Sequence, residues 1–281
     1  MSPILGAIII AAHNEEASIG RCLAALREAS SAGIQVIVVC NGCTDATADI
    51  AHDYQGVTVI ELAVASKVAA LRAGDRVAGD GPRIYLDADI VLTSRAAVAV
   101  LEILSGGPVL AGRPPVRYDY DRASGAVRRW YNIRERLPSI QNALWGAGCY
   151  ALSSEGRSRF GEFPDVVSDD LFIDSLFSDA EIMIVPTDPV VVRTPRKTAD
   201  LVRILRRKYR TQGEFAAKRP GTLVTPGQRG QLHDLVAVVK SRPTLAFDAA
   251  VYASLIAYSR VRARFVKTSG WERDNSSREM A

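Results

Sequence analysis

Four short apolar runs, residues 4–11, 34–39, 57–62 and 83–86, punctuate the first third of the chain. Each is too short for a buried helix and is rich in isoleucine, valine or leucine, as suits strands buried on both faces. Between them lie residues 15–29, 45–54 and 66–77, which carry helical spacing, for example at Ile19, Leu23 and Leu26. Alternating βα units of this length predict an α/β fold, a mostly parallel sheet flanked by helices.

In such a sheet the chemistry sits beyond the carboxyl ends of the strands. Polar groups collect there. The first run ends in His13, Asn14 and Glu15, the second in Asn41, Gly42, Thr44 and Asp45, and the fourth in Asp87 and Asp89. One polar residue after a strand is explained by helix capping. Clusters converging from three strands on one sheet edge ask for more. Asp87-Ala88-Asp89 offers two carboxylates to a shared site. Hard cations such as Mg²⁺ or Mn²⁺ take such oxygen ligands together with phosphate oxygens, although a DxD loop also occurs as plain solvated or capping aspartates. Asp169-Asp170 opens an apolar helical stretch that runs to Phe177. Two readings stand side by side there, a helix N-cap and a general base for an attacking hydroxyl.

Later in the chain residues 94–104 read as helical, 108–116 as extended and 118–136 as an amphipathic helix. Trp145, Gly146, Ala147 and Gly148 form a small-residue loop feeding a strand at 149–152. Residues 181–192 read as a strand broken at Pro186 and Pro189. Ten lysines and arginines crowd into residues 193–219 against Asp200 and Glu214, so the net charge of +4 is concentrated there. That excess is too small to demand a nucleic-acid partner. Residues 244–266 are apolar at Phe247, Val251, Leu255 and Tyr258, are interrupted by Asp248 and are flanked by Arg242, Arg260, Arg262, Arg264 and Lys267. The stretch falls short of a membrane span; a helix in a membrane interface and a helix packed on the core are both open. Residues 271–278 read as a polar tail.

Composition closes other routes. A 48% hydrophobic content with 23% charged residues excludes a disordered chain. Cys22, Cys40, Cys43 and Cys149 supply one CxxC without a second, which argues against structural zinc and fits a reducing, cytoplasmic compartment. The first apolar run lacks a basic flank and ends in His13-Asn14-Glu15-Glu16, so it reads as a strand and not a signal peptide. No GxGxxG follows it, which disfavours a dinucleotide dehydrogenase.

Taken in order, five motifs resemble the GT-A glycosyltransferases of family 2. They are Ala7–Glu16, Val38–Thr47, Ser66–Gly74, the Tyr85-Leu86-Asp87-Ala88-Asp89 strand end, and Ser168-Asp169-Asp170-Leu171, together covering roughly residues 4–177. The resemblance implies a GT-A type, Rossmann-like sheet at residues 1–195, split into a nucleotide-sugar half (1–104) and an acceptor half (105–195), with a basic, helical C-terminal extension at 196–281. It implies that Ala11, His13, Glu15 and Asn41 meet the nucleoside, that Lys67 and Arg72 lie on the nucleotide side, and that Asp87, Ala88 and Asp89 hold metal and diphosphate, Asp89 more directly. Asp170 is then the general base supported by Asp169, and Trp145 to Gly148 line the acceptor side. The implied reaction is an inverting, metal-assisted transfer from a nucleotide-diphosphate sugar to a hydroxyl acceptor. UDP stands ahead of GDP or dTDP as the carrier, and the setting is cell-envelope polysaccharide or glycolipid assembly, with peripheral contact at the inner face of the plasma membrane.

The sequence also departs from the family pattern. Ala11 stands for the usual proline, His13 for tyrosine, Asn41 for an acid and Arg72 for an asparagine. Arg206-Arg207-Lys208-Tyr209-Arg210 lies where processive members carry Gln-x-x-Arg-Trp, and it lacks both the glutamine and the tryptophan. Two rivals are a nucleotidyltransferase, which calls for a glycine-rich basic loop after the first strand, and a non-catalytic relative that binds nucleotide-sugar without turnover.

Overall fold

The computed structural model describes residues 5–166, 168–218 and 226–265. The alternation expected from the sequence holds through β1 (Gly6–Ala12), α1 (Ile19–Ala25), β2 (Ile34–Asn41), α2 (Thr47–His52), β3 (Val57–Leu62), α3 (Lys67–Val77) and β4 (Arg83–Asp87). There follow α4 (Ser94–Ser105), β5 (Ala111–Arg113), β6 (Val116–Asp119), α5 (Gly125–Arg134), α6 (Pro138–Gln141), β7 (Cys149–Leu152), α7 (Ser154–Ser158) and α8 (Asp169–Asp174). The chain continues through β8 (Ile182–Ile184), β9 (Val190–Arg193), α9 (Thr198–Lys218), α10 (Pro226–Ser241) and α11 (Ala246–Phe265). Arg219, Val266, Lys267 and the polar tail at 271–278 lie outside the described residues.

Two compact units emerge. The first joins Met1–Arg117 to Leu144–Val192, and the second joins Tyr118–Ala143 to Arg193–Ala281. The segment Tyr118–Ala143, read from the sequence as part of residues 105–195, thus groups with the C-terminal helices.

The first unit is built on a seven-stranded sheet of order β3-β2-β1-β4-β7-β5-β8. Strands β1 to β4 are mutually parallel, β7 runs antiparallel to β4 and β5, and β8 is parallel to β5. Ile8, Ile9 and Ile10 are all fully buried, so both faces of β1 are covered, as its unbroken apolar run requires. Ile8 and Ile10 pack with Ile19, Leu23, Val100 and Leu101 on one side. On the other, Ile9 meets Gly74 of α3, where a methyl group would stand 2.4 Å from Ile9 Cγ2. That close approach sets the depth at which α3 enters the sheet.

Two local differences from the sequence reading have clear causes. Helix α1 begins at Ile19 and not near Glu15, because the Glu15 N–H is taken by Thr47 Oγ1 at 2.6 Å and Asn14 adopts φ 51°. The strand expected at 181–192 is two strands in two sheets: β8 closes the large sheet, whereas β9 pairs with β6 in a ribbon. Pro186 and Pro189 lack the N–H groups a continuous ladder needs.

In the second unit α5 packs on α11. Trp130 stacks on Tyr252 at 5.3 Å between centroids. Asp248, the acid that interrupts the C-terminal apolar stretch, is buried and accepts from Arg129 Nη1 at 2.5 Å and Asn132 Nδ2 at 2.6 Å. It also lies in the first turn of α11, where a carboxylate is favoured by the helix dipole. Among the described residues no helix is long and apolar enough to cross a membrane.

Candidate active site

The site forms in the first unit, where β4 ends. Asp87 closes that strand and its N–H donates to Gly148 O at 2.8 Å, which ties it to the loop entering β7. Gly148 has φ 64°, and a Cβ there would lie 2.6 Å from Ile90 Cγ1 and 3.2 Å from Asp87 Oδ2. Glycine is therefore demanded twice, by backbone conformation and by space. Asp87 and Asp89 are half-buried, whereas Ala88 between them is buried and turned from the cleft's solvent side.

Lys67 faces these acids from α3. Ser66 caps that helix by accepting from Ala69 N–H at 3.2 Å, which places Lys67 at its first residue. The ammonium lies 2.7 Å from Asp87 Oδ1 and 2.9 Å from Asp169 Oδ1. Burial alone would lower the Lys67 pKa, but the Asp169 and Asp87 carboxylates outweigh it and hold the ammonium charged well above its usual range. Asp169 is buried, and its second oxygen accepts from Tyr150 Oη at 2.9 Å. Asp170 is half-buried and accepts from Gly146 N–H at 2.8 Å, from Ser168 Oγ at 2.7 Å and from Leu171 N–H at 2.8 Å. Lys67, Asp87, Gly148, Tyr150, Asp169 and Asp170 thus share one cleft, which Tyr85 and Leu71 also line. Tyr85 stacks on Tyr150 at 5.0 Å, and its hydroxyl is fixed by Asp75, which also binds Arg83 and Arg157.

Negative charge dominates this cleft. Burial pushes the Asp87 carboxyl up, Lys67 opposes that, and Asp89 and Asp169 add to it, so that Asp87 stands at about 6. Carboxylates crowded in this way gain from a cation. Among the described residues no three Asp, Glu, His or Cys side chains converge into a metal cage. The donor set instead suits a hard cation held by one or two carboxylates and completed by phosphate oxygens and water, the arrangement usual for Mg²⁺. Asp87 and Asp89 fit that role.

A second cluster lies at the ends of β1 and β2. His13 Nδ1 is 2.6 Å from Asn41 O, and Asn14 exchanges hydrogen bonds with Thr44, accepting from Thr44 N–H at 2.7 Å. Glu15 accepts from Ser18 Oγ at 2.6 Å. His13, Glu15 and Ala11 are half-buried and stand at the sheet edge. Asn41 is only 3% exposed, and its Nδ2 donates to Ala12 O at 2.7 Å. That amide nitrogen tethers β2 to β1.

Other residues expected at the site are placed elsewhere. Arg72 turns to the loop before α8: its Nε donates to Phe163 O at 2.7 Å and its Nη2 pairs with Asp165 at 3.0 Å. Trp145 and Ala147 are buried, so only Gly146 and Gly148 of that loop reach the surface. Tyr150, which holds Asp169, escaped the sequence reading, and Ser168, which holds Asp170, was named there only as part of its motif, without a role of its own. The signal for Tyr150 was its place two residues past Gly148, where strand alternation returns the same face to the cleft.

The family model described as Glycosyl transferase family 2 matches residues 7–152. Comparison with curated proteins found no match. Among solved structures, the chain is similar to the mannosyltransferase PcManGT from Pyrobaculum calidifontis in complex with GDP-Man and Mn²⁺, at 19% identity and TM-score 0.61, covering 92% of this chain and 80% of that one. Glucosyl-3-phosphoglycerate synthase from Mycobacterium tuberculosis, in complex with Mn²⁺, UDP and glucosyl-3-phosphoglycerate, matches at 18% identity and TM-score 0.52, covering 73% of this chain and 77% of that one. TarS from S. aureus in complex with UDP matches at 13% identity and TM-score 0.52, covering 96% and 94%. At these identities the likeness to solved structures establishes the GT-A fold.

Proposed function

The chain belongs to glycosyl transferase family 2, and on that premise we propose that it is an inverting, metal-assisted glycosyltransferase acting non-processively on a hydroxyl acceptor. The observation that carries this reading is the single cleft holding Asp87 at the end of β4 and Asp170 at the start of α8. Asp87 and Asp89 would hold Mg²⁺ or Mn²⁺, which when bound neutralises the departing diphosphate. Asp170 is the base. The acceptor oxygen attacks the sugar carbon, its proton passes to the Asp170 carboxylate, and the bond to the diphosphate breaks with the electron pair leaving on the phosphate oxygen. A hydroxyl needs such a base because its own pKa lies far above neutrality. Ser168 and Gly146 orient the Asp170 carboxylate, while Asp169 is spent on Lys67 and Tyr150.

The nucleoside belongs at the β1–β2 edge. With the Asn41 amide nitrogen committed to Ala12 O, base recognition falls to His13, Glu15 and the backbone from Ala11 onward. UDP is the first choice, in keeping with two of the solved relatives, with GDP or dTDP as alternatives. The basic helix α9 and the outward apolar side chains of α11 support peripheral contact with an anionic bilayer, and hence a glycan or glycolipid acceptor at the cytoplasmic face.

Calorimetry with UDP, GDP and dTDP, each with Mn²⁺ and with EDTA, tests the donor site. One nucleoside diphosphate should bind in Mn²⁺ and be lost in EDTA. Binding without any turnover of matching nucleotide-sugars would favour a non-catalytic relative, and release of pyrophosphate in place of a nucleoside diphosphate would favour a nucleotidyltransferase.

A further inference from the structure

We infer that Lys67 is a resident counter-cation shared by Asp87 and Asp169, and that it yields Asp87 while keeping Asp169 when a divalent cation takes the site. This rests on the metal-assisted reading above and adds a positioning residue to it. The geometry is unequal in the right sense. The ammonium is 2.7 Å from Asp87 and 2.9 Å from Asp169, but the Asp87 side chain is 40% exposed and that of Asp169 only 6%. Abandoning the buried carboxylate would leave an uncompensated charge in the interior, a far larger penalty than releasing the exposed one to water or metal. Tyr150 supports the choice, since it donates to the other oxygen of Asp169 and fixes that carboxylate in place.

Lys67 stands on the first residue of a capped helix, so its backbone is fixed and the shift is confined to its flexible stem. A cation arriving at Asp87 from solvent meets an ammonium already on Oδ1. The two like charges exclude one another there. Asp169 therefore acts as the seat that lets Lys67 step aside without losing its charge, and Asp170, the next residue, keeps a positive neighbour throughout.

The test is nucleotide-free Mn²⁺ binding, read by the electron paramagnetic resonance of free Mn²⁺, with thermal unfolding to confirm that each variant is folded. Lys67→Met should tighten Mn²⁺ about tenfold, because Asp87 is released and a nearby positive charge is gone. Asp169→Asn should weaken it about tenfold, since Lys67 then settles on Asp87. In the double variant the Asp169→Asn effect should shrink to about twofold or less, the coupling expected of a shared ammonium. Lys67→Arg, which can fork both carboxylates, should stay folded and weaken Mn²⁺ by a similar factor. Equal weakening by Asp169→Asn with and without Lys67 would overturn the inference, as would unchanged affinity in Lys67→Arg. Wild-type protein that binds no Mn²⁺ even with nucleoside diphosphate present would instead overturn the functional reading beneath it.

Discussion

The backbone N–H of Gly146 donates to Asp170 Oδ2 at 2.8 Å, while Ser168 and Leu171 donate to Oδ1. The carboxylate is thus held from both sides as an acceptor. An amide at this position must turn one N–H toward a donor. Asp170→Asn should lower transfer by on the order of 10²–10⁴-fold, the range expected for loss of a general base, and lower stability by about 1 kcal/mol. Nucleoside diphosphate affinity in Mn²⁺ should remain within about threefold of wild type. Rapid-quench turnover paired with calorimetry separates the two effects, and near-normal turnover would remove Asp170 as the base.

Gly148 touches the same site from the β7 side. Because it has φ 64° and leaves only 2.6 Å between a would-be Cβ and Ile90 Cγ1, Gly148→Ala should destabilise the protein by about 2–4 kcal/mol through left-handed strain and overpacking. It should also weaken cation-dependent nucleotide binding, since the added methyl crowds Asp87 Oδ2. Differential scanning calorimetry reads the first effect and titration with Mn²⁺ the second. A variant with unchanged melting temperature would show that the loop relaxes freely.

Much of this architecture is legible in the sequence because strands buried on both faces leave unbroken apolar runs. Ile8, Ile9 and Ile10 advertise β1, and Leu86-Asp87 marks where β4 meets solvent. Strand order is a different matter. That β7 enters antiparallel between β4 and β5 depends on long-range pairing that no local pattern encodes. The same holds for the site. Asp87 and Asp170 are visible as acids at element ends, but the destination of a long side chain is not: Lys67 and Arg72 lie five residues apart on α3, and one joins the acids while the other anchors the loop at Phe163. Asn41 shows the same limit, a polar residue at a strand end whose amide serves the neighbouring strand.

Asp45 gives the site a pH-dependent support. Burial would raise its pKa, but hydrogen bonds from the Thr47 hydroxyl and N–H, and from the Glu16 N–H, hold it below the ordinary value. Thr47 Oγ1 in turn accepts from Glu15 N–H, so Asp45 steadies the loop after β1. A folded pKa below the unfolded one means that the stabilisation is complete above the ordinary carboxylate range and is lost as pH falls through the folded value. The gap in urea midpoint between wild type and Asp45→Asn should therefore be full at neutral pH and close below about pH 4. A gap that persists unchanged in acid would mean that the carboxylate's charge contributes nothing.

Helix α11 has two faces of different fate. Ala249, Tyr252 and Ser259 are buried within the second unit, whereas Phe247, Tyr258 and Val261 are 63%, 52% and 53% exposed. The outward residues recur at intervals that keep them on one side of the helix, with exposed Arg262 beside Tyr258, whereas Arg260 stacks over Tyr209 of α9. A helix apolar on both sides is ordinarily covered on both, and an arginine beside the outward face, as Arg262 is, would favour an anionic surface over a neutral one. Tyr258→Ser with Val261→Ser should reduce partitioning onto phosphatidylserine-containing vesicles by about tenfold, the loss expected when roughly 1–1.5 kcal/mol of apolar burial is removed. The melting temperature should stay within about 2 °C, because neither side chain lies in the core. Raising the salt should weaken the wild-type interaction, since exposed charges are screened beyond roughly 8–10 Å. Equal partitioning of variant and wild type in flotation assays would leave this face without a role at the bilayer.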